Sequence, residues 1–524
     1  MKISRQGIAQ ATVLLIAGTV LSRMLGYVRE IVIAYQYGAT AYTDAYLIAS
    51  ILPMGIAGMV AGAITVAFIP VFTEYRVNAG EEEAWRIAST VLNLAIIFLL
   101  VSAVVYLVAA PFLVPLFGPG LAPETQQLAI RLSQMLTPAI VLTALTGLIA
   151  AILNAYRHFM APAFAGLLFN FGMIAGALLL GDRMGIAGLV VGVVAGAAAH
   201  LMVLLVPLFG HRGYYRASLS GLKHPAIKQI GMLILPFIVG SASGQINLLV
   251  DRMLASGLAE GSIASLNFAT RIMSLPVGIF AGAVATAVYP FLSEQASKQD
   301  FGQLRRTFSE GLRLLWFIVI PITAGLLVLS EPVVRLLFER GAFDATATQM
   351  TTVALFYYSL GIVAHTANVM IVRVYFAMQD TITPIKLGLW AIALNIVLNL
   401  ILVRYMDHAG LALASSLAAG LNFLMLAFYL RRKLEHLDGG RILRSTMKAM
   451  ASAVAMSAVV WAGYVYSRPL LDMTQTTDQA AQLAGLMVFG AAVYFGVAAL
   501  LKTEELTNLI DRVKAKLFRP KPQA

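Results

Sequence analysis

Apolar stretches long enough to cross a lipid bilayer recur along most of this 524-residue chain. A transmembrane helix needs about 20 mostly apolar residues to span a hydrocarbon core of roughly 30 Å. Fourteen windows meet this requirement, and they are residues 8–36, 44–72, 84–109, 126–153, 160–180, 186–209, 228–255, 264–290, 310–330, 347–376, 384–404, 409–430, 443–466 and 482–501. The sequence therefore predicts an all-α polytopic membrane protein with about fourteen transmembrane helices.

The distribution of basic residues supports this count. With a cytoplasmic N-terminus, and with seven basic residues near the ends of windows assigned to the adjoining loops, 26 of the 37 lysines and arginines fall in inner loops and tails, 5 in outer loops and 6 inside the predicted helices. Inner loops of membrane proteins carry such an excess of positive charge. Both termini are therefore predicted to be cytoplasmic.

An internal repeat indicates how the helices are organised. "GMVAGAITVAFIPVFTE" (58–74) matches "GIFAGAVATAVYPFLSE" (278–294) at a shift of 220 residues, and "IAGL" (186–189) matches "HAGL" (408–411) at a shift of 222. Each copy holds six helices, and because six is even, both copies insert in the same orientation. Two parallel lobes around a central cavity are typical of transporters that rock about a site near the membrane midplane.

This repeat predicts four parts of the chain. They are a first six-helix lobe (1–215), a second six-helix lobe (225–435), two further helices (440–501) and a tail (502–524). Apolar positions alternate with basic residues in the tail, which predicts an amphipathic helix that lies on the inner face of the membrane.

Charged residues lie inside the predicted helices at a few positions. The first helix contains Arg23, Arg29 and Glu30, and the eighth contains Arg271. A charge in the bilayer costs roughly 2.5–3.5 kcal/mol, so such residues mark functional sites. Glu30 can neutralise part of Arg29, but too few acids lie nearby to neutralise both Arg23 and Arg271. The pattern favours a cationic cavity, and a lipid-linked diphosphate would suit it because guanidinium groups bind phosphate in a bidentate manner.

A second polar cluster indicates different chemistry. Asn395 and Asn399 lie four residues apart and so share a helix face, where they could meet Asp251 and Ser415. One carboxylate with amide and hydroxyl oxygens is a ligand set for a hard cation such as Na⁺. Two alternatives stay open: hydrogen bonding between helices, and pairing of Asp251 with Arg252.

Several function classes are excluded by the sequence. The chain has no cysteine, which removes thiolate chemistry and Cys-ligated metals. It carries none of the nucleotide-binding or hydrolase motifs, so we expect no enzyme activity and no organic cofactor. The net charge of +12 does not indicate a nucleic-acid partner, because little soluble fold is available to present it. A cation gradient or the membrane potential is the expected driving force.

Four segments resemble the MurJ (MviN) family of lipid II flippases. They are "SRMLGYVRE" (22–30), "TDAY" (43–46), "LFERGAF" (337–343) and "FAMQDTITPIKLG" (376–388). The resemblance implies membership of the multidrug, oligosaccharidyl-lipid and polysaccharide exporter superfamily. It also implies movement of an undecaprenyl-diphosphate-linked peptidoglycan precursor, lipid II, from the inner to the outer leaflet of the bacterial inner membrane. A monomer that contacts only lipid II and membrane lipids is expected.

The resemblance also assigns residues. The substrate-binding positions that it implies are Arg23, Arg29, Glu30, Asp44 and Arg271. The family's sodium site maps onto Asp251, Asn395, Asn399, the carbonyl group of Leu411 and Ser415.

The chain departs from the family pattern in two places. The family's second helix often reads PNxxRR followed by EGA, whereas this chain has "PMGIAGMVAGA" (53–63), without arginine or glutamate. Asn399 stands where some members have an acid. A flippase for another polyprenyl-linked glycan of the O-antigen or capsule type therefore stays an alternative. A cation-coupled drug exporter would favour acids and aromatics in its cavity, and a membrane-embedded glycan polymerase would need longer outer loops.

Overall fold

The structure is a computed structural model that describes residues 5–211, 213–470, 475–508 and 511. Helices make up 89% of it, and the described residues contain no β-strand. The predicted all-α class is therefore confirmed. Contacts divide the chain into two compact units, the first comprising residues 1–264 with 340–344, and the second residues 265–339 with 345–524.

Seven long helices form the first unit. They are α1 (Arg5–Tyr37), α2 (Ala41–Asn78), α3 (Glu81–Phe117), α4 (Pro123–Ala155), α5 (Met160–Met184), α6 (Ile186–Leu205) and α7 (Pro225–Ser256). Their starts follow from the sequence. Proline occupies the first position of α4 and of α7, where its missing N–H is not needed. Three glutamates, Glu81 to Glu83, occupy the first turn of α3, where their negative charges interact favourably with the positive end of the helix dipole.

Glycines bring α5 and α6 into close backbone contact. A Cβ atom added at Gly172 would lie 2.5 Å from the Gly196 Cα atom, and one added at Gly176 would lie 2.5 Å from the Gly192 Cα atom. Small residues at four-residue spacing allow this approach in membrane helices. The "GLVVGVVAG" run (188–196) is thus a packing face.

The second unit contains the remaining helices. They are α8 (Ser262–Pro276, which begins in the first unit), α9 (Gly282–Ser297), α10 (Phe301–Phe338), α11 (Ala345–Ser359), α12 (Ile362–Ala377), α13 (Ile382–Leu434), α14 (Gly439–Ser467) and α15 (Thr476–Leu500). A π-helical turn, Val277–Ala281, joins α8 to α9. Buried apolar side chains of α10, α14 and α15, including Phe317, Met456 and Tyr494, form one core of this unit.

Among the described residues, ten helices are long and apolar enough to cross a membrane, or eleven if α11 and α12, bent by 45°, count as one span. The count includes α13 once, although its 53 residues would extend for roughly 80 Å. Asp407, with φ 49° and ψ −133°, interrupts α13 between the predicted spans 384–404 and 409–430. A multi-pass membrane protein is confirmed, while the total of fourteen crossings stays a prediction.

Backbone geometry repeats at the spacing found in the sequence. Arg157 and Gln379, which are 222 residues apart, have φ values of 63° and 60°. Gly185, between α5 and α6, has φ 58° and ψ −144°, and Asp407 has nearly the same angles 222 residues later. These matches support an internal repeat. The compact units are divided after Ala264 by their contacts, and the predicted lobe boundaries 1–215, 225–435 and 440–501 stay predictions.

The start of the predicted tail packs against α10 within the second unit. Arg313 of α10 is 8% exposed, and its Nη1 atom lies 2.7 Å from Glu504 Oε2 and 3.1 Å from Glu505 Oε1. The hydrogen bond from Arg313 is the main reason that the pKa of Glu504 is lowered. Most of the amphipathic helix predicted for 502–524 lies outside the described residues.

Candidate functional site

Arg23 lies on α1 with its side chain exposed. Gly18 and Gly26 of the same helix face α5, where they approach Ala163 and Asn170. At 100° per residue, Arg23 lies roughly 90° around the helix from this packed face. Among the described side chains, none forms a hydrogen bond or ion pair with the Arg23 guanidinium. Within the described part of the chain, no side chain therefore offsets the charge of Arg23, and its predicted role in a cationic cavity stays a prediction.

Arg29 is held in a different environment. Its Nη2 atom pairs with Glu30 Oε1, and its Nη1 atom donates to Asn170 Oδ1 at 2.9 Å. The Arg29 side chain is 16% exposed, and that of Glu30 is 6% exposed. The predicted neutralisation of Arg29 by Glu30 is thus observed, so Arg29 and Glu30 together add no net charge to this part of α1.

Asp44 uses both carboxylate oxygens to bind backbone N–H groups. Oδ2 accepts from Gly261 at 2.8 Å and Oδ1 accepts from Ala264 at 2.7 Å, at the start of α8. Only 3% of Asp44 is exposed. A carboxylate at a helix N-terminus satisfies N–H groups that have no partner within the helix. In this structure Asp44 therefore anchors the α8 N-terminus, and its predicted contact with substrate stays a prediction.

Arg271 lies on α8, in the second unit, with its side chain exposed. The Ser274 hydroxyl donates to the Arg271 carbonyl oxygen at 2.8 Å, which belongs to the helix backbone. Asp44 and Arg271 are connected through α8, because Asp44 binds the first turn of the helix that carries Arg271. A site shared by Arg23 and Arg271 stays a prediction.

The residues of the predicted cation site are divided between the units. Asp251 belongs to the first unit, where Asn247 Nδ2 lies 3.5 Å from its Oδ2 atom. In the second unit, Asn399 Nδ2 donates to Asn395 Oδ1 at 3.0 Å, and both side chains are buried.

Leu411 and Ser415 follow Asp407 on the second half of α13; Leu411 is buried and Ser415 is half-buried. The oxygen donors in the predicted set are those that a hard cation prefers, but Asn395 Oδ1 already accepts a hydrogen bond. The described residues contain no group of three or more His, Cys, Asp or Glu that could hold a metal ion. The sodium site stays a prediction.

An apolar groove of about 560 Å³ lies within the second unit. Side chains of α8, α10, α14 and α15 form it, including Leu275, Ile322, Leu486 and Phe495. Its one hydroxyl-bearing residue, Tyr494, donates to the Phe317 carbonyl oxygen at 2.7 Å, so the groove presents hydrocarbon to any occupant. Such a surface suits a long aliphatic chain.

A family model described as lipid II flippase MurJ matches residues 33–472. The chain belongs to the MurJ family.

Individual relatives agree with this assignment. The chain is 28% identical over 493 residues to lipid II flippase MurJ of Burkholderia cenocepacia, over 91% of this chain and 94% of the relative. It is 31% identical over 504 residues to a probable lipid II flippase MurJ of Vibrio cholerae, over 93% and 94%.

Solved structures extend the comparison to the fold. An inward closed structure of lipid II flippase MurJ matches with a TM-score of 0.79 and 26% identity, over 93% of this chain and 98% of that one. An inward-facing multidrug resistance MATE transporter of the MOP superfamily matches with a TM-score of 0.70 at 16% identity, over 79% and 94%, and so shares the fold. The predicted family is confirmed, the likeness to the MATE transporter extends to the fold, and the chain is a multi-pass inner-membrane protein.

Two of the segments that resemble MurJ have structural roles. In "LFERGAF", the Ala342 N–H donates to the Tyr35 carbonyl oxygen at 2.8 Å, and Gly341 has φ +62° with a Cβ position only 2.3 Å from the same oxygen. In "QDTITP", Asp380 Oδ1 accepts from the Thr383 N–H at 3.0 Å, and Asp380 Oδ2 pairs with Lys433. These MurJ motifs fix loops at the ends of helices.

Sequence reasoning missed Asn170, the α5 partner of Arg29. A polar amide within the apolar window 160–180 was the available signal. Because Asn170 and Arg29 are 141 positions apart, spacing along the chain could not reveal the pair.

Proposed function

We propose that this MurJ family member moves lipid II from the inner to the outer leaflet by alternating access. The observation that carries the proposal is the exposed Arg23 on α1, which has no partner among the described side chains. An uncompensated guanidinium on a membrane helix costs about 2.5–3.5 kcal/mol. An anionic headgroup that enters the membrane would offset this cost.

In the proposal, Arg23 and Arg271 bind the diphosphate. Each guanidinium offers parallel N–H groups that match two phosphate oxygens. Arg29 and Glu30 form a neutral pair beside them and contribute hydrogen bonds without adding net charge. Asp44 fixes the first turn of α8 and so supports Arg271 indirectly.

The undecaprenyl tail remains in an apolar environment throughout the cycle. The groove formed by α8, α10, α14 and α15 supports this part of the proposal, because its lining is hydrocarbon and its volume is about 560 Å³. Burial of each methylene group contributes about 0.8 kcal/mol. Charged residues would thus bind the headgroup, and the apolar groove would bind the tail.

Reset of the carrier is proposed to depend on a cation gradient or on the membrane potential. A bound Na⁺ would supply a positive charge among the oxygen donors of Asp251, Asn395, Asn399, Leu411 and Ser415. Asn395 and Asn399 would turn their amide oxygens toward it. The protein acts as a transporter and a monomer in this proposal, with both termini in the cytoplasm.

A flippase for another polyprenyl-linked glycan is the second candidate. It is favoured by α2, which lacks the family's arginine and glutamate. Ala57 is fully buried, and Ala61 packs against Gly147 of α4, where an added Cβ atom would lie 2.3 Å away. This part of α2 therefore packs closely against Gly147 of α4. Restored growth by lipid II transport, as tested below, would reject this candidate.

Complementation of a strain depleted of its lipid II flippase tests the proposal. We expect the wild-type gene to restore growth, and Arg23→Ala or Arg271→Ala to abolish it while membrane expression is unchanged. Arg183→Ala, which removes an exposed arginine at the end of α5, is the matched control and should restore growth. Full growth with either Arg23→Ala or Arg271→Ala would refute the assigned roles.

A further inference from the structure

Asn170 of α5 makes two hydrogen bonds that fix the orientation of its amide. Its Nδ2 group donates to the Gly166 carbonyl oxygen at 3.3 Å, and its Oδ1 atom accepts from Arg29 Nη1 at 2.9 Å. A carbonyl oxygen can only accept and a guanidinium can only donate, so the reverse orientation of the amide would lose both bonds. The Asn170 side chain is therefore held with its oxygen toward α1.

The contact between Asn170 and Arg29 is buried between α1 and α5. Asn170 is 8% exposed, and a Cβ atom added at Gly26 would lie 3.8 Å from Asn170 Oδ1. Met173, one turn further along α5, places its sulfur atom 3.8 Å from the same Arg29 Nη1 atom. Arg29 Nε is buried without a hydrogen-bond partner among the described atoms, so the guanidinium keeps an unused N–H.

The charge of this cluster depends on the identity of residue 170. Arg29 and Glu30 cancel, and an asparagine satisfies Nη1 without adding charge. An aspartate would satisfy the same N–H equally well but would leave the cluster with one net negative charge. In a region of low dielectric constant, that charge would repel a bound diphosphate over several ångströms.

We propose that Asn170 is a positioning residue for substrate binding: it holds the Arg29 guanidinium against α5 while it keeps the Arg29–Glu30–Asn170 cluster electrically neutral. This inference rests on the proposed function, because it concerns the charge that a lipid diphosphate meets. In this inference Asn170 acts through Arg29 and is assigned no contact with the substrate.

The test is the binding of purified lipid II to the full-length protein in detergent micelles, measured as an apparent Kd by native mass spectrometry. Asn170→Asp should weaken binding roughly tenfold or more, as expected for an added like charge nearby. The double variant Asn170→Asp/Glu30→Gln moves the negative charge across the guanidinium and restores neutrality. It should recover most of the affinity that Asn170→Asp loses, because a cluster with no net charge no longer repels the diphosphate.

Asn154→Asp, the same change at the end of α4, is the matched control and should leave the Kd unchanged. Unaltered binding by Asn170→Asp, or a double variant that binds as weakly as the single one, would overturn the inference. If Asn170→Asp alone does not fold, the double variant decides, since weak binding by the folded double variant contradicts the role of charge. A wild-type protein that fails to bind lipid II would instead overturn the proposed function, and the inference with it.

Discussion

The two copies of the repeat make the same chain reversal with different residues. Gly185 separates α5 from α6 with φ 58° and ψ −144°, and Asp407 separates the two halves of α13 with φ 49° and ψ −133°. Glycine adopts such angles freely, whereas a residue with a side chain loses about 1–3 kcal/mol. The second copy therefore carries backbone strain that the first avoids.

Three residues later both copies retain glycine. A Cβ atom at Gly188 would lie 2.8 Å from the Leu180 carbonyl carbon, and one at Gly410 would lie 2.4 Å from the Leu402 carbonyl oxygen. Backbone atoms cannot move aside as the end of a flexible side chain can. Glycine is thus replaced at the reversal itself (185 and 407) but kept three residues later (188 and 410). This fold therefore tolerates one strained torsion angle more readily than a steric clash between helix backbones.

The starts of α2 and α8 extend the comparison between the two copies. Substitutions there should cause the largest change in the free energy of unfolding. Asp44 accepts two backbone N–H groups at the α8 start, whereas Glu260 accepts one, from Ala41 at 2.9 Å, at the α2 start. Asp44→Ala should lower the free energy of unfolding by about 4 kcal/mol, because two buried N–H groups lose their side-chain acceptor. Glu260→Ala, at an exposed site, should cost less than about 1 kcal/mol. Equal losses in denaturant titrations of the purified protein would contradict this contrast.

The glycines at the helix contacts give the next largest effect. Gly188→Ala and Gly410→Ala should each lower the free energy of unfolding by about 2–3 kcal/mol through overpacking. Gly420→Ala on α13 is the control, since an added Cβ atom there meets no atom within 4 Å. It should raise stability by up to about 1 kcal/mol, because alanine favours helix. Thermal unfolding in micelles measures the stability of all three variants. A Gly410→Ala variant as stable as the wild type would show that the two halves of α13 can move apart to accommodate the added Cβ atom.

Substitutions at the reversal itself should change the free energy of unfolding in opposite directions in the two copies. Gly185→Ala should destabilise the protein by about 1–2 kcal/mol, while Asp407→Gly should stabilise it by about 1 kcal/mol through relief of strain. The midpoint of thermal unfolding is the measurement. Destabilisation by Asp407→Gly would mean that the aspartate side chain makes a contact worth more than the strain.

The smallest change in the free energy of unfolding is expected at a pair of equivalent turns. The first copy has His158 at this turn, and the second copy has Asp380. Burial raises the pKa of Asp380, but hydrogen bonds from Lys433 and Thr383 outweigh burial and hold that pKa at about 2. The carboxylate thus adds stability that is complete above pH 4 and is lost as the pH falls toward 2. Asp380→Asn should cost about 0.5–1 kcal/mol at pH 7. The difference between variant and wild type should vanish near pH 2 in urea titrations.

The apolar windows and the repeat made the helical fold predictable, because both are local or periodic properties of the sequence. The pair of Arg29 with Glu30 was predictable for the same reason, since the two residues are adjacent. The acceptor role of Asp44 was not, because its partners are backbone N–H groups 217 and 220 positions away, and a backbone N–H leaves no mark in the sequence. Asn170 was missed because only the packing of α5 on α1 brings it to Arg29.

Residues 340–344 belong to the first unit although both flanking segments belong to the second. Tyr35 can receive its hydrogen bond from Ala342 only after that segment has been made. Eighty residues separate Ala264 from Asp344, which corresponds to roughly ten seconds of translation. During nascent-chain insertion, the N-terminal helices therefore enter the bilayer before the end of α1 gains this contact, so the first unit is completed only once codon 342 has been translated.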